Sequence, residues 1–103
     1  MEKIGILRKK IDDLDLKLLK LLSKRRNLAL RIGKIKSTHG LHIRDKKREM
    51  QILKSRLKIA KNLKFPKNLV KALFKVILSD SRQYQKTDAM SLTRRAKIDK
   101  IYR

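Results

Sequence analysis

The chain is a short and strongly basic polypeptide of 103 residues, in which 31 lysine and arginine residues face 9 acidic ones, for a formal net charge of +22. It contains no cysteine, which excludes disulfides and thiolate metal sites. Its longest uninterrupted apolar runs, such as residues 76–78, are three residues long, which is too short for a membrane-spanning helix or for the apolar core of a signal peptide. We therefore expect a cytoplasmic protein with no membrane partner. The charge favours an anionic partner, and nucleic acid or a small anionic metabolite both remain open.

The first predicted helix spans about residues 3–36 and carries an apolar stripe with the three- and four-residue spacing of a coiled coil. Beside the stripe, Gly33 allows a neighbouring backbone to approach closely. Such a helix is roughly 50 Å long, more than the ~30 Å diameter of a small domain, so one chain cannot bury it. We therefore predict an intertwined homodimer. The stripe positions are Ile4, Leu7, Ile11, Leu14, Leu18, Leu21, Arg25, Leu28, Ile32 and Ile35, with Arg25 as the polar interruption.

Two shorter helices and a basic tail complete the predicted organisation. A loop follows the first helix, and a second helix over about 45–62 begins at Asp45, a suitable N-cap. A third helix over about 66–85 begins at Pro66, which suits a first helical turn. Residues 86–103 carry six basic and two acidic residues and form a tail or linker after a domain over 1–85. The predicted fold class is all-α, with three helices per chain, one of them very long.

Several polar side chains interrupt the apolar faces of these helices. Arg8, Arg26 and Lys36 lie on or beside the apolar stripes of the first helix, although each taken singly is most often a surface side chain. Arg8 and Arg26 are 18 residues apart, about 27 Å along one helix, so one small ligand reaches both only if two antiparallel subunits share it. The other candidates cluster within single turns of the second and third helices. They are Asp45, Arg48 and Glu49, then Ser81 and Gln85.

The order and spacing of these residues resemble the all-helical AroQ class of chorismate mutases over positions 4–85. The resemblance rests on four blocks, which read LRKKIDDLD, LLSKRRNLALRIGKIK, IRDKKREMQIL and LFKVILSDSRQYQ. It implies an isomerase that rearranges chorismate to prephenate in aromatic amino acid biosynthesis, without cofactor or metal. The pattern also resembles the mutase domain of bifunctional chorismate mutase/prephenate dehydratases.

The resemblance also implies which residues hold the two substrate carboxylates. These are Arg26 and Arg8, the latter contributed by the neighbouring subunit. Ser81 assists one of the two carboxylates by a hydrogen bond, and Arg48 lines the same pocket. Guanidinium groups suit this role because their planar N–H forks match carboxylate geometry.

The remaining implied contacts serve the ring hydroxyl and the ether oxygen whose bond breaks. Asp45 and Glu49 bind the hydroxyl, and Lys36 and Gln85 hydrogen-bond the ether oxygen. A unimolecular rearrangement needs a confined substrate and stabilised charge rather than a nucleophile, a base or a metal. The positions expected to act directly in catalysis are Lys36, Gln85, Arg26 and Arg8.

A basic, dimeric, helical nucleic-acid-binding protein is the main alternative, since the composition suits it. Asp45 and Glu49 weigh against it, because carboxylates beside Arg48 repel a phosphate backbone. Any binding of nucleic acid is therefore expected to be nonspecific. A second alternative is a purely structural coiled-coil protein. It would not explain why the polar residues Arg8, Arg26, Lys36, Ser81 and Gln85 have this order and spacing.

Overall fold

The computed structural model describes residues 2–87, which fold into three α-helices joined by short loops. They are α1 (Glu2–Thr38), α2 (Lys46–Asn62) and α3 (Lys67–Gln85). No strand occurs in this range, so the predicted all-α class with three helices is confirmed. The sequence placed the helices at about 3–36, 45–62 and 66–85. Residues 88–103, which make up most of the predicted tail, lie outside the described residues.

The end of α1 is a glycine turn that fixes the last helical residues beside the other two helices. Gly40 has a φ of 65°, in the left-handed region where glycine avoids the steric cost of a Cβ. The Leu41 N–H donates to the Lys36 carbonyl at 2.8 Å, and the Gly40 N–H donates to the Ser37 carbonyl at 3.3 Å. These two bonds form a Schellman motif, which satisfies the last carbonyls of α1 and turns the chain back toward α2.

The start of α2 is capped by Asp45, as the sequence predicted. Its carboxylate accepts a hydrogen bond from the Arg48 backbone N–H at 2.9 Å, which satisfies one of the free donors of the first turn. Pro66 precedes the first residue of α3 as its N-cap, with a φ of −60°. Each cap fixes where its helix begins, and the Asp45 cap places Arg48 and Glu49 in the first turn of α2.

The close approach predicted at Gly33 is confirmed. α3 packs against both α1 and α2, and Gly33 is buried where α1 meets the end of α3. A Cβ at Gly33 would lie 2.7 Å from the Gln85 Cα and 2.8 Å from the Gln85 carbonyl carbon, closer than packed atoms tolerate. The absence of a side chain at Gly33 thus lets Gln85 reach the last turns of α1.

The single chain leaves much of its apolar surface uncovered. It measures 53 × 42 × 15 Å, and a helix with its side chains is ~10–12 Å wide, so the thinnest dimension holds little more than one helix layer. Every residue over 3–21 of α1 is exposed, including Leu14 at 61% and Leu21 at 62%. The buried apolar residues are Ala29, Ile52, Ala60 and Val70.

The three helices over residues 2–87 lack the features of a membrane-spanning segment. None of them is both long enough and apolar enough to cross a membrane.

Candidate active site

A cavity of about 350 Å³ lies where the three helices meet, within the size range of small-molecule sites. Its wall brings together six of the eight polar positions predicted to contact a ligand. These are Lys36, Asp45, Arg48, Glu49, Ser81 and Gln85. Two further cationic side chains, Arg25 and Arg82, also line it, and the rest of the wall is mainly aliphatic. The mixture of apolar wall and convergent charged groups suits a small anionic molecule.

Lys36 is held at the cavity by groups from two other segments. Its ammonium donates to the Gln85 Oε1 at 2.8 Å and to the Ile43 carbonyl at 2.7 Å. An ammonium has three N–H donors, so one remains for a bound molecule. The Gln85 Nε2 donates to the Ser81 Oγ at 3.3 Å, which leaves its second N–H for another acceptor. The site therefore presents a positive charge and a neutral amide donor side by side.

Glu49 is the carboxylate most enclosed by cations in this cavity. Its Oε1 accepts from the Arg82 Nη1 at 2.6 Å and lies 3.8 Å from the Arg44 Nε. The side chains of Glu49 and Arg82 are 18% and 25% exposed, whereas that of Arg44 is 57% exposed. The pair with Arg82 is therefore short and largely shielded from water, and sequence reasoning did not anticipate it.

Arg25 lines this cavity, whereas Arg26, the residue that the sequence analysis named, does not. Arg25 precedes Ala29, Ile32 and Lys36 by four, seven and eleven residues, so all four share one face of α1. Burial first, and then the nearby charge of Arg56, lower the pKa of the half-buried Arg25 guanidinium, although arginine still stays protonated at neutral pH. Among residues 2–87, no carboxylate forms an ion pair with Arg25. The negative charge of Asp80 acts on Arg25 only at a distance, and a half-buried guanidinium that no carboxylate contacts directly favours an anionic ligand.

Arg26 instead faces a neighbouring groove between α1 and α3. Its Nε and Nη2 donate to the two oxygens of Asp80 at 3.1 and 2.8 Å, and its guanidinium lies 4.9 Å from the centre of the Tyr84 ring. The groove measures about 470 Å³ and is not lined by Lys36 or Gln85. Of the other predicted site residues, Ser81 also lines this groove, whereas Lys36, Asp45, Arg48, Glu49 and Gln85 line the cavity without Arg26. The polar interruption at position 25 of the apolar stripe was the sequence signal for Arg25.

Comparison with known proteins identifies the family of the chain that carries this site. Residues 7–86 match the model of the family described as chorismate mutase type II. The chain belongs to this family. It is 34% identical over 86 residues to a chorismate mutase of Methanocaldococcus jannaschii, and the match covers 84% of this chain and 87% of that protein. The resemblance found in the sequence is thereby confirmed.

The chain is also similar to a bifunctional protein and to one solved structure. The chain is 38% identical over 82 residues to a bifunctional chorismate mutase/prephenate dehydratase of Aquifex aeolicus, and the match covers 77% of this chain but 23% of that protein. A solved structure of a conserved hypothetical protein from Pyrococcus furiosus is 34% identical, with a TM-score of 0.66 over 84% of this chain and 99% of that one. The match thus covers 87% of the Methanocaldococcus protein and 99% of the Pyrococcus chain, but about a quarter of the Aquifex protein.

Arg8, like Arg26, is a predicted site residue that does not line the cavity in the single chain. It lies on the exposed first half of α1, and at 1.5 Å per residue it is roughly 42 Å along the helix axis from Lys36. A single chain therefore cannot place Arg8 and Lys36 against the same small molecule.

The ion pair between Arg26 and Asp80 should make the stability of this mutase depend on pH. The hydrogen bond from Arg26 lowers the pKa of Asp80 below its ordinary value of ~3.9. Because the pKa of Asp80 is lower in the folded state than in the unfolded chain, the ion pair stabilises the fold at pH values above the unfolded-state pKa. This stabilisation is lost as the pH falls through the folded-state pKa. Thermal unfolding between pH 6 and pH 2 should therefore show a drop in Tm below about pH 4. The drop should be small, because the two side chains are 52% and 42% exposed.

The variant Asp80→Asn should show a shallower decline in Tm over the same range, and Arg26→Gln should resemble it. Equal slopes for the wild type and Asp80→Asn would contradict this origin of the acid sensitivity.

Proposed function

We propose that the cavity lined by Lys36 and Gln85 is the site at which this chain acts as a chorismate mutase, the isomerase that converts chorismate to prephenate in aromatic amino acid biosynthesis. The observation that carries the proposal is the 2.8 Å hydrogen bond between Lys36 and Gln85 inside a cavity that Arg25 and Arg48 also line. The reaction breaks a C–O bond and forms a C–C bond within one molecule. The enzyme accelerates this reaction by confining the substrate and by stabilising the charge that develops on the departing oxygen.

The substrate is a dianion, and the charge of the cavity matches it. Four cationic side chains (Arg25, Lys36, Arg48 and Arg82) and two anionic ones (Asp45 and Glu49) line the wall, which leaves a surplus of two positive charges. In this proposal Arg25 replaces Arg26 as the residue that holds one substrate carboxylate. Ser81 assists one of the two carboxylates by a hydrogen bond and Arg48 completes the pocket, as the family resemblance implied. The half-buried Arg25 then gains a direct ion pair, which no carboxylate of residues 2–87 makes with it.

The reacting ether oxygen is bound, in this proposal, by the ammonium of Lys36 and the amide of Gln85. Each retains an N–H donor beyond the bonds it makes within the protein. Charge that develops on the ether oxygen in the transition state strengthens both contacts, so they favour the transition state over the bound substrate. Asp45 and Glu49 bind the ring hydroxyl at the first turn of α2.

We also propose that the active unit is an intertwined homodimer in which Arg8 of one subunit binds the second carboxylate in the site of the other. The single helix layer and the exposed first half of α1 support this, because an apolar stripe of this length is not left in water. A second copy, running antiparallel, covers the stripe and carries Arg8 toward the opposite end of its partner. The expected location is the cytoplasm.

The test is the conversion of chorismate by the purified protein at neutral pH and moderate salt. We expect chorismate to disappear far faster than in buffer alone, with prephenate identified by NMR as the product. Binding to labelled single- and double-stranded nucleic acid is measured in the same buffer. Turnover with weak, salt-sensitive nucleic-acid binding supports the proposal. A folded protein without turnover, but with tight and sequence-dependent nucleic-acid binding, would replace it with the alternative function; no described contact favours that outcome.

A further inference from the structure

We infer that Arg82 is a positioning residue, which holds Glu49 in the orientation needed to accept the substrate's ring hydroxyl. This inference rests on the proposed function, because it concerns the same cavity and the same substrate. The family resemblance named Glu49 but gave no role to Arg82. The juxtaposition of the two side chains comes from the packing of α2 against α3.

The contact between the two side chains is short and sheltered. The Arg82 Nη1 donates to the Glu49 Oε1 at 2.6 Å, and the side chains are 25% and 18% exposed. A charge-assisted hydrogen bond of this length is strong when water is largely excluded. Because Arg82 directly follows Ser81 on α3 and Glu49 lies on α2, the bond ties two walls of the cavity together.

The bond leaves one carboxylate oxygen for a ligand. The contacts of both Arg82 and Arg44 are made with Oε1, and no hydrogen bond to Oε2 occurs among residues 2–87. Oε2 is therefore the oxygen that can accept from a hydroxyl. Fixing Oε1 also fixes the terminal torsion of a glutamate side chain, which is otherwise broad. The substrate then meets a carboxylate that is already oriented.

Arg82 also keeps Glu49 away from the arginines that the substrate needs. Arg25 and Arg48 line the same cavity, and an unrestrained carboxylate would pair with either in competition with the carboxylates of chorismate. A dedicated partner on α3 removes that competition. Arg82 thus acts through Glu49 rather than by binding the substrate itself.

The experiment is a double-variant cycle on the full chain, with chorismate as the substrate and kcat and KM measured separately. Arg82→Met, which keeps length but removes charge, should lower kcat/KM by about 10- to 100-fold, the range for loss of a partner that orients a ligating side chain. Glu49→Gln should show the same division of the loss between kcat and KM. In the Glu49→Gln background, Arg82→Met should cost less than about 3-fold more, because the residue it orients is already impaired.

Each other outcome has a distinct meaning. Effects of Arg82→Met and Glu49→Gln that multiply would overturn the inference, because Arg82 would then act independently of Glu49. Unchanged kinetics for Arg82→Met also overturn it, while wild-type turnover leaves the proposed function intact. Absence of turnover by the folded wild type removes the proposed function, and this inference with it. If Arg82→Met does not fold, Arg82→Lys in the same cycle decides, since it retains a donor and should recover part of the activity in a Glu49-dependent manner.

Discussion

Arg25→Met should lower kcat/KM for chorismate by about 30- to 4,000-fold while leaving the protein folded. Loss of one partner from a desolvated charge pair costs about 2–5 kcal/mol, and each 1.4 kcal/mol is a factor of ten. Burial and the neighbouring Arg56 already disfavour the charged form of Arg25, as its lowered pKa shows. Replacing the guanidinium with an uncharged chain of similar length should therefore keep or raise Tm. Activity and stability are then expected to move in opposite directions, as at other sites built for a ligand.

Arg26→Met is the matched control for this prediction, because it is the same change one residue further along α1. It should retain kcat/KM within about 3-fold, since Arg26 is absent from the wall of the cavity. It should lower Tm slightly by removing the two hydrogen bonds to Asp80. Steady-state kinetics and thermal melts of both variants decide the question. If Arg26→Met is the inactive variant and Arg25→Met the active one, the assignment made from the sequence is restored.

The position of Arg25, rather than Arg26, on the wall of the cavity shows where sequence reasoning reaches its limit. Successive residues of a helix are rotated by ~100°, so adjacent arginines face different neighbours. Position 25 belongs to one apolar stripe and position 26 to the next, and the sequence does not say which stripe faces the cavity. The rotation of α1 about its axis is set by its packing on α3, where Gly33 lies against Gln85. With this packing, Arg25 lines both the groove and the cavity of Lys36, while Arg26 lines the groove alone and pairs with Asp80.

Features set by neighbouring residues were predictable, because local rules determine them. Asp45 satisfies a donor three residues later, and Gly33 admits a close backbone, whatever the rest of the chain does. That Lys36 and Gln85 serve one site was implied by resemblance rather than by spacing. The structure adds the direct contact between them, across 49 positions of sequence.

The pair between Arg82 and Glu49 could not be predicted in this way. The two residues are 33 positions apart, and their contact depends on how α3 is rotated against α2. In a chain with 31 lysine and arginine residues, one more arginine after Ser81 carries no signal of its own. Its role becomes visible through its burial and its partner.

Mixing two inactive variants should regenerate activity if the site is shared between subunits. Arg8→Ala and Arg25→Met are each expected to be inactive as homodimers, because every site in them lacks one carboxylate-binding guanidinium. In a mixed dimer with Arg8 acting in trans, both changes fall in one site and the other site is unaltered. Random exchange of equal amounts makes about half of the dimers mixed, so about a quarter of the wild-type activity should return.

This recovery separates the shared site from every arrangement within one chain. If Arg8 served the site of its own subunit, each site of a mixed dimer would still carry one defect, and mixing would restore nothing. Native mass spectrometry of subunits with different masses shows whether exchange has taken place. Verified exchange without recovery would therefore exclude the trans role of Arg8. Recovery near a quarter would show that the exposed first half of α1 carries an active-site residue into the partner as well as pairing the two subunits.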